Sequence, residues 1–132
     1  MKKFGLSADE KLKSRKDIEE LFSTGITLFS SSKKIKAIYL IEQYPEEPGI
    51  KVAFAVSRKS GKAIWRNRVK RLLRESYRLN KQILLNKIDK SSYYINIIFV
   101  PYSINMRTNK NIYLKDLIPD VIDIMSRIGI KE

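Results

Sequence analysis

Between Ile50 and Asn86 the apolar residues change their spacing, and this switch constrains the fold more than any other feature of the chain. Ile50, Val52, Phe54 and Val56 alternate with Lys51, Ala53, Ala55 and Ser57, the period of two that sends successive side chains to opposite faces of a strand. Beyond Arg58-Lys59-Ser60-Gly61, the residues Trp65, Val69, Leu72, Leu73 and Ser76 recur at the three-to-four-residue spacing of a helix. The stretch therefore predicts a strand, a tight turn and a long helix from about Lys62 to Asn86, with a break near Asn80. The large face of the strand packs on a helix. Its small face, Ala53 and Ala55, either makes room for a second helix or leaves a shallow surface for an extended ligand, and both readings stand at this point.

The helix carries its charge on the arc opposite the apolar stripe. Arg66, Asn67, Lys70, Arg71, Arg74 and Arg78 fall there, with Arg68 at one flank. Arg58 to Arg78 hold nine of the chain's 27 basic residues, opposed in that stretch by Glu75 alone. Arg66, Lys70, Arg74 and Arg78 form an i, i+4 series of like charges, each pair costing an isolated helix a few tenths of a kcal/mol. A face kept only for solubility would interleave glutamates, so the pattern points to a polyphosphate partner. The whole chain agrees, with a formal net charge of +13 over 132 residues, a self-repulsion best relieved by a polyanion. Nucleic acid fits better than a membrane surface, because neither terminus joins exposed Trp or Phe to a basic face.

No catalytic constellation accompanies this surface. The sequence has no Cys and no His, which removes thiol nucleophiles, thiolate zinc sites and the usual neutral-pH general base. Its 14 acidic residues are scattered. Asp116, Asp120 and Asp123 do share one helical face, where a Mg2+ site is conceivable and a solvated surface is the plainer reading. Ser57 to Lys62 lacks the spacing of a phosphate-binding Gly loop. From its own residues the chain binds and does not cut: no catalytic residue and no protein metal site is expected. The N-terminus lacks the apolar segment of a signal peptide, and no run approaches the roughly 20 residues that span a bilayer. A cytoplasmic protein without a membrane partner is expected.

The remaining elements complete a single domain over residues 1–132. Met1 to Lys13 reads as a flexible arm. Ser14 caps a short helix carrying Ile18, Leu21 and Phe22, closed by Gly25. A brief strand around Thr27-Leu28-Phe29 leads through a polar loop to a strand over Lys36–Gln43. The turn from Tyr44 to Gly49 predicts an antiparallel hairpin with Ile50–Ser57. Tyr93 to Val100 is a buried strand, parallel to Ile50–Ser57 through a βαβ unit. Residues from Tyr102 to Tyr113 form a loop, and a last helix begins near Asp116, which makes Pro119 tolerable in its first turn, and ends at Gly129. The fold class is α+β, a two-layer α-β sandwich on a mixed, mostly antiparallel sheet of about four strands.

The run Val52-Ala53-Phe54-Ala55-Val56-Ser57-Arg58-Lys59-Ser60-Gly61-Lys62-Ala63-Ile64-Trp65-Arg66-Asn67-Arg68-Val69-Lys70-Arg71-Leu72-Leu73-Arg74-Glu75 resembles the signature of the protein subunit of bacterial ribonuclease P. Leu12 to Phe22, with Gly25, resembles that family's first helix, so the likeness spans nearly the whole chain and is weakest after Tyr102. The resemblance implies an endonuclease whose catalyst is RNA. That ribonucleoprotein removes the 5′ leader of precursor tRNA and leaves a 5′-phosphate, with Mg2+ bound mainly by the RNA subunit. It also implies an unusual left-handed βαβ crossover. The partners so implied are the catalytic RNA subunit and precursor tRNA with its leader, with no further protein required.

Two surfaces carry over by the same resemblance. Arg66, Asn67, Arg68, Lys70, Arg71 and Arg74 match the motif that meets the RNA subunit, and Arg58, Lys59 and Lys62 are expected on phosphates. Phe22 and Tyr39 match aromatic positions of a central cleft between the first helix and the sheet, where the leader lies over Ala53 and Ala55. Ile18 stands where the family often has Phe, and stacks less well on a base. The alternative reading is a non-enzymatic RNA-binding module of similar α+β fold, such as a ribosomal or assembly protein. A third is a metal-dependent nuclease using Asp116, Asp120 and Asp123.

Overall fold

A computed structural model describes residues 10–43, 49–91 and 93–128. In chain order the elements are α1 (Arg15–Thr24), β1 (Ile26–Phe29), β2 (Ile35–Gln43), β3 (Gly49–Phe54), a 3-10 turn (Arg58–Ser60), α2 (Ala63–Asn80), α3 (Gln82–Ser91), β4 (Tyr93–Pro101) and α4 (Leu114–Arg127). The expected break of the long helix falls at Lys81, between α2 and α3. The expected turn over residues 44–48, the closing Gly129 and most of the N-terminal arm lie outside the described residues.

The four strands stand in the order β1-β2-β4-β3. β1 and β2 pair antiparallel, β2 and β4 antiparallel, and β3 and β4 parallel. The βαβ unit is thus as expected, while the hairpin between β2 and β3 is not formed: β4 lies between them. The physical reason is the composition of β4. Tyr93, Ile95, Ile97, Ile98 and Phe99 are all buried, and a strand apolar on both faces is stable only with neighbours on both edges and cover on both sides.

Two cores sit on the two faces of that sheet. Ile35, Ala37 and Tyr39 of β2, Val52 of β3 and Ile95, Ile97 and Phe99 of β4 pack with α2, α3 and α4 in the larger core. Trp65, Val69, Leu73 and Tyr77 are the residues α2 commits to it, each 5% exposed or less. At roughly 1.5–3 kcal/mol for each fully buried large apolar side chain, they fix which way α2 faces. Burial also pushes the Tyr77 phenol well above its ordinary range. On the other face Leu21 of α1 meets Leu12, Ile38 and Ile98, with Ile18, Leu40, Ala53, Ala55 and Val100 at its margin. So α1 lies on the side of the sheet opposite the other helices.

Residues from Glu10 to Lys13 do not belong to the flexible arm expected there. The Leu12 amide donates to Val52 O at 2.9 Å, Lys11 bridges Val52 in parallel, and Lys81 Nζ donates to Glu10 Oε2 at 2.9 Å. Leu12, 5% exposed, supplies the burial that outweighs the entropy of ordering the segment.

α4 begins at Leu114, two residues before the expected start, so Pro119 falls inside the helix. Pro119 is exposed, leaving water to satisfy the carbonyl its missing N–H would have bonded. The C-terminal end of α4 is closed by Lys87 of α3, whose ammonium donates to Met125 O, Ser126 O and Ile128 O at 2.8, 2.7 and 2.9 Å.

Candidate nucleic-acid interface

The turn from β3 to α2 is shaped by contact with the β4–α4 loop. Ser57 Oγ accepts from the Lys59 amide, and the Met106 amide donates to Ser60 O at 2.7 Å. A Cβ on Gly61 would stand 2.6 Å from Met106 Cβ, so only glycine lets the loop close on the turn. Arg58, Lys59 and Lys62 are exposed on its outer side, ahead of an α2 whose first turn holds no acidic residue.

Along α2 the cations divide into two kinds. Arg66 Nε donates to Gly61 O at 3.1 Å, and Arg68 donates through Nε and Nη2 to Ile112 O at 3.1 and 2.8 Å. Arg68 also lies 5.9 Å from the Tyr113 ring centre. These two guanidiniums are built into the scaffold, with Arg68 clasping the β4–α4 loop. Arg78 is spent on Glu75, donating from Nε to Oε2 at 3.0 Å, and this contact holds the Glu75 carboxyl below its ordinary value. Lys70, Arg71 and Arg74 make no ion pair among the described residues. With exposed Asn67 they form the cationic face that α2 turns away from the core.

The second surface lies across the sheet. α1 reaches it closely because Gly25 ends the helix: a Cβ there would meet Leu21 O at 2.4 Å and Ile38 Cγ2 at 2.5 Å. Phe22 is 56% exposed beside this contact, and Ile18 is half-buried. Ala53 and Ala55 lie at the margin of the same small core, leaving a low floor beside α1. Tyr39 is not part of this cleft. It is 7% exposed in the core under α2 and α4, because its neighbours Ile38 and Leu40 take the α1 face and alternation sends Tyr39 to the other. Leu40 occupies the cleft position instead.

The structure also shows a connection that the sequence does not. A groove of about 260 Å³, lined by Lys11, Lys13, Ala53 and Arg74 among others, runs along the outer edge of β3, where Lys11 and Leu12 meet Val52. It joins the cleft floor to the cationic face of α2. Its cations come from positions 11, 13 and 74, and no local pattern announces their meeting.

The three carboxylates of the last helix each have a structural partner. Asp116 Oδ2 accepts from the Tyr113 amide at 2.8 Å, Asp120 accepts from Ser32 Oγ, and Asp123 Oδ2 accepts from the Ser31 amide and hydroxyl at 2.7 and 3.0 Å. Arg127, with Nε 3.1 Å from Asp123 Oδ1, completes this clamp on the β1–β2 turn. Among the described residues no group of three or more acidic side chains could hold a metal ion. No helix of the described residues is long and apolar enough to cross a membrane.

Comparison with known proteins gives these surfaces a common context. The family described as Ribonuclease P matches residues 6–117. The ribonuclease P protein component of Porphyromonas gingivalis is 33% identical over 101 residues, 76% of this chain and 72% of its own. That of Clostridium botulinum is 30% identical over 122 residues, 92% of this chain and 96% of its own. Among solved structures, the RNase P protein from Thermotoga maritima superposes with a TM-score of 0.68 at 21% identity, covering 91% of this chain and 98% of that one. The Staphylococcus aureus RNase P protein gives 0.64 at 16% identity, over 88% and 92%. At such identities these structures speak for the fold, and the α+β sandwich is the one they share. The family match over residues 6–117, with relatives aligned along most of their length, places the chain in the ribonuclease P protein family.

Proposed function

We propose that this protein holds catalytic RNA on one side and the precursor's leader on the other, and contributes no reacting group of its own. As a member of its family it is the protein subunit of ribonuclease P, the ribonucleoprotein that processes tRNA 5′ leaders, and its partners are the RNA subunit and precursor tRNA. The division of labour is our reading. Asn67, Lys70, Arg71 and Arg74 grip the RNA subunit, with Arg58, Lys59 and Lys62 on neighbouring phosphates and Arg66 and Arg68 positioning that face. Ile18, Phe22, Leu40, Ala53 and Ala55 receive the single-stranded leader, Phe22 supplying the ring on which an unpaired base stacks. We place the protein in the cytoplasm.

One observation carries the reading: α2 buries one face completely and leaves Lys70, Arg71 and Arg74 without ion pairs among the described residues on the other. In isolation that face costs stability through self-repulsion, and a phosphate backbone removes the cost. The hydrolysis itself breaks the bond between phosphorus and the leader's 3′ oxygen, with water supplying the oxygen that completes the tRNA 5′-phosphate. Among the described residues its Mg2+ finds no fitting ligand set, since Asp116, Asp120 and Asp123 are each engaged, and we assign the metal to the RNA. The protein's share is to bind, to orient and to neutralise.

The test is precursor-tRNA cleavage at low Mg2+ by the RNA subunit, with and without the purified protein. We expect strong stimulation by the protein and no cleavage by nuclease-treated protein alone. Cleavage by the protein alone sinks the reading; failure to stimulate leaves a simple RNA-binding module.

A further inference from the structure

A further concavity lies on the face of the sheet opposite the α1 cleft. It is a groove of about 440 Å³ between the β1–β2 turn and the β4–α4 loop, with Lys34 on one wall and Arg107 and Lys110 on the other. All three cations are exposed, and none makes an ion pair among the described residues. The one carboxylate in the lining, Asp116, is held on the Tyr113 amide at 2.8 Å. The groove is therefore net cationic, and its volume falls within the range of roughly 300–1,000 Å³ typical of sites that enclose a small ligand.

Both walls are fixed before anything binds. Lys33, next to Lys34, has φ 62, a left-handed conformation that costs a non-glycine residue about 1–3 kcal/mol and persists where the surroundings enforce it. Asp120 and Asp123 of α4 enforce it by holding Ser32 and Ser31. The Tyr102 amide, donating to Lys34 O at 2.8 Å, ties the turn to the opposite wall. That wall is stiffened in turn: Trp65 Nε1 donates to Asn109 O at 3.0 Å and Arg68 to Ile112 O at 2.8 Å. The groove is thus continuous with the first turns of α2. It opens from the α2–α4 side of the sheet, since Ile104 and Ile112 of its lining belong to that core, whereas the leader cleft lies on the α1 side.

We propose that this groove is a second contact for the RNA subunit, taking the phosphates of an unpaired segment that continues beyond the α2 face. A concave, preformed site with three cations suits a strand that can enter it, and a rigid duplex presents its phosphates on ridges instead. The inference rests on the reading of α2 as the RNA-subunit face, and its test separates the two.

Binding of the purified protein to its RNA subunit is measured across a salt series for the wild type, for Lys34→Gln/Arg107→Gln/Lys110→Gln, and for Arg71→Ala. Thermal unfolding of each variant checks the fold. The salt-dependence slope falls by about 0.7 for each phosphate of an unpaired strand no longer neutralised, so the triple variant is expected to lose up to about two and Arg71→Ala up to about one. In nuclease footprinting, the triple variant is expected to lose protection of an unpaired stretch that Arg71→Ala retains. A triple variant with wild-type slope and footprint, beside a weakened Arg71→Ala, overturns the groove and leaves the α2 reading standing. Wild-type behaviour in all variants overturns both. Unchanged RNA-subunit binding with weakened binding of precursor tRNA assigns the groove to the substrate and also overturns the proposal.

Discussion

The two faces of the sheet are built to different standards. On one, three helices bury β2, β3 and β4 under a continuous core in which Leu73, Ile95, Phe99, Leu117 and Ile124 are fully enclosed. On the other, α1 and Leu12 cover Ile38 and Ile98, and Leu40, Ala53, Ala55 and Val100 remain partly open. The first face holds the fold, and the cationic surface of α2 is rigid because its opposite side is locked there. The second face is thinner, which suits the leader contact proposed for it. Stability and recognition are therefore separable by mutation, and that is where the comparison can be tested.

The largest effect is expected from Leu73→Ala in the thick core, about 2–5 kcal/mol in denaturant unfolding, because a fully buried leucine leaves both a transfer loss and a cavity. Leu40→Ala on the open face should cost clearly less. Equal losses at the two positions would erase the distinction. Gly25→Ala comes next. Its added methyl meets a backbone oxygen at 2.4 Å, which cannot be relieved by rotating a side chain, and overpacking of this kind typically costs about 1–3 kcal/mol. Because it moves α1 off the sheet, it should also reduce the preference of the holoenzyme for precursor over mature tRNA.

Phe22→Ala sharpens the contrast from the other direction. An exposed ring contributes little to the fold, so stability should stay within about 0.5 kcal/mol of wild type. Loss of one stacked base is worth about 1–3 kcal/mol, which in precursor binding is a loss of about 5- to 140-fold, with mature tRNA unaffected. Equal losses for precursor and mature tRNA would remove Phe22 from the leader site.

What was legible in the sequence follows the same division. The switch of period around Ser57–Lys62 located β3, the turn and α2, because both periods are local properties of the backbone. The sorting of Trp65, Val69 and Leu73 from Lys70, Arg71 and Arg74 is equally local. The β2–β3 hairpin failed because pairing of successive strands is a tendency, not a rule. The doubly apolar run of β4 was the available sign that it would take a central position. Tyr39 failed by parity, since a shift of one residue sends a strand's side chains to the other face. The roles of Asp120 and Asp123 were hidden for a different reason: their partners, Ser32 and Ser31, are 88 and 92 residues away. The two basic grooves were hidden likewise, being assembled from distant segments.

The smallest expected effect concerns that long-range clamp, and its sign follows from the protonation of Asp123. Hydrogen bonding from Arg127, then from the Ser31 amide, holds this carboxyl below its ordinary value of 3.8. A carboxyl whose pKa is depressed in the fold contributes stability above its unfolded pKa and loses it as pH falls through the folded one. The Asp123 contribution should therefore be intact at neutral pH and disappear below about pH 3.8. Asp123→Asn removes it at every pH, so the unfolding midpoints of variant and wild type should differ at pH 7 and converge in acid. Glu75, depressed in the same direction by Arg78, titrates in both proteins and cancels from the difference. Midpoints separated by a constant gap down to about pH 3, through the range where an Asp carboxyl protonates, would mean that the charge on Asp123 contributes nothing to stability. Because Asp123 fixes the turn bearing Lys34, the same variant should weaken binding of the RNA subunit slightly while leaving leader discrimination unchanged, which keeps the effect on the thick side of the sheet.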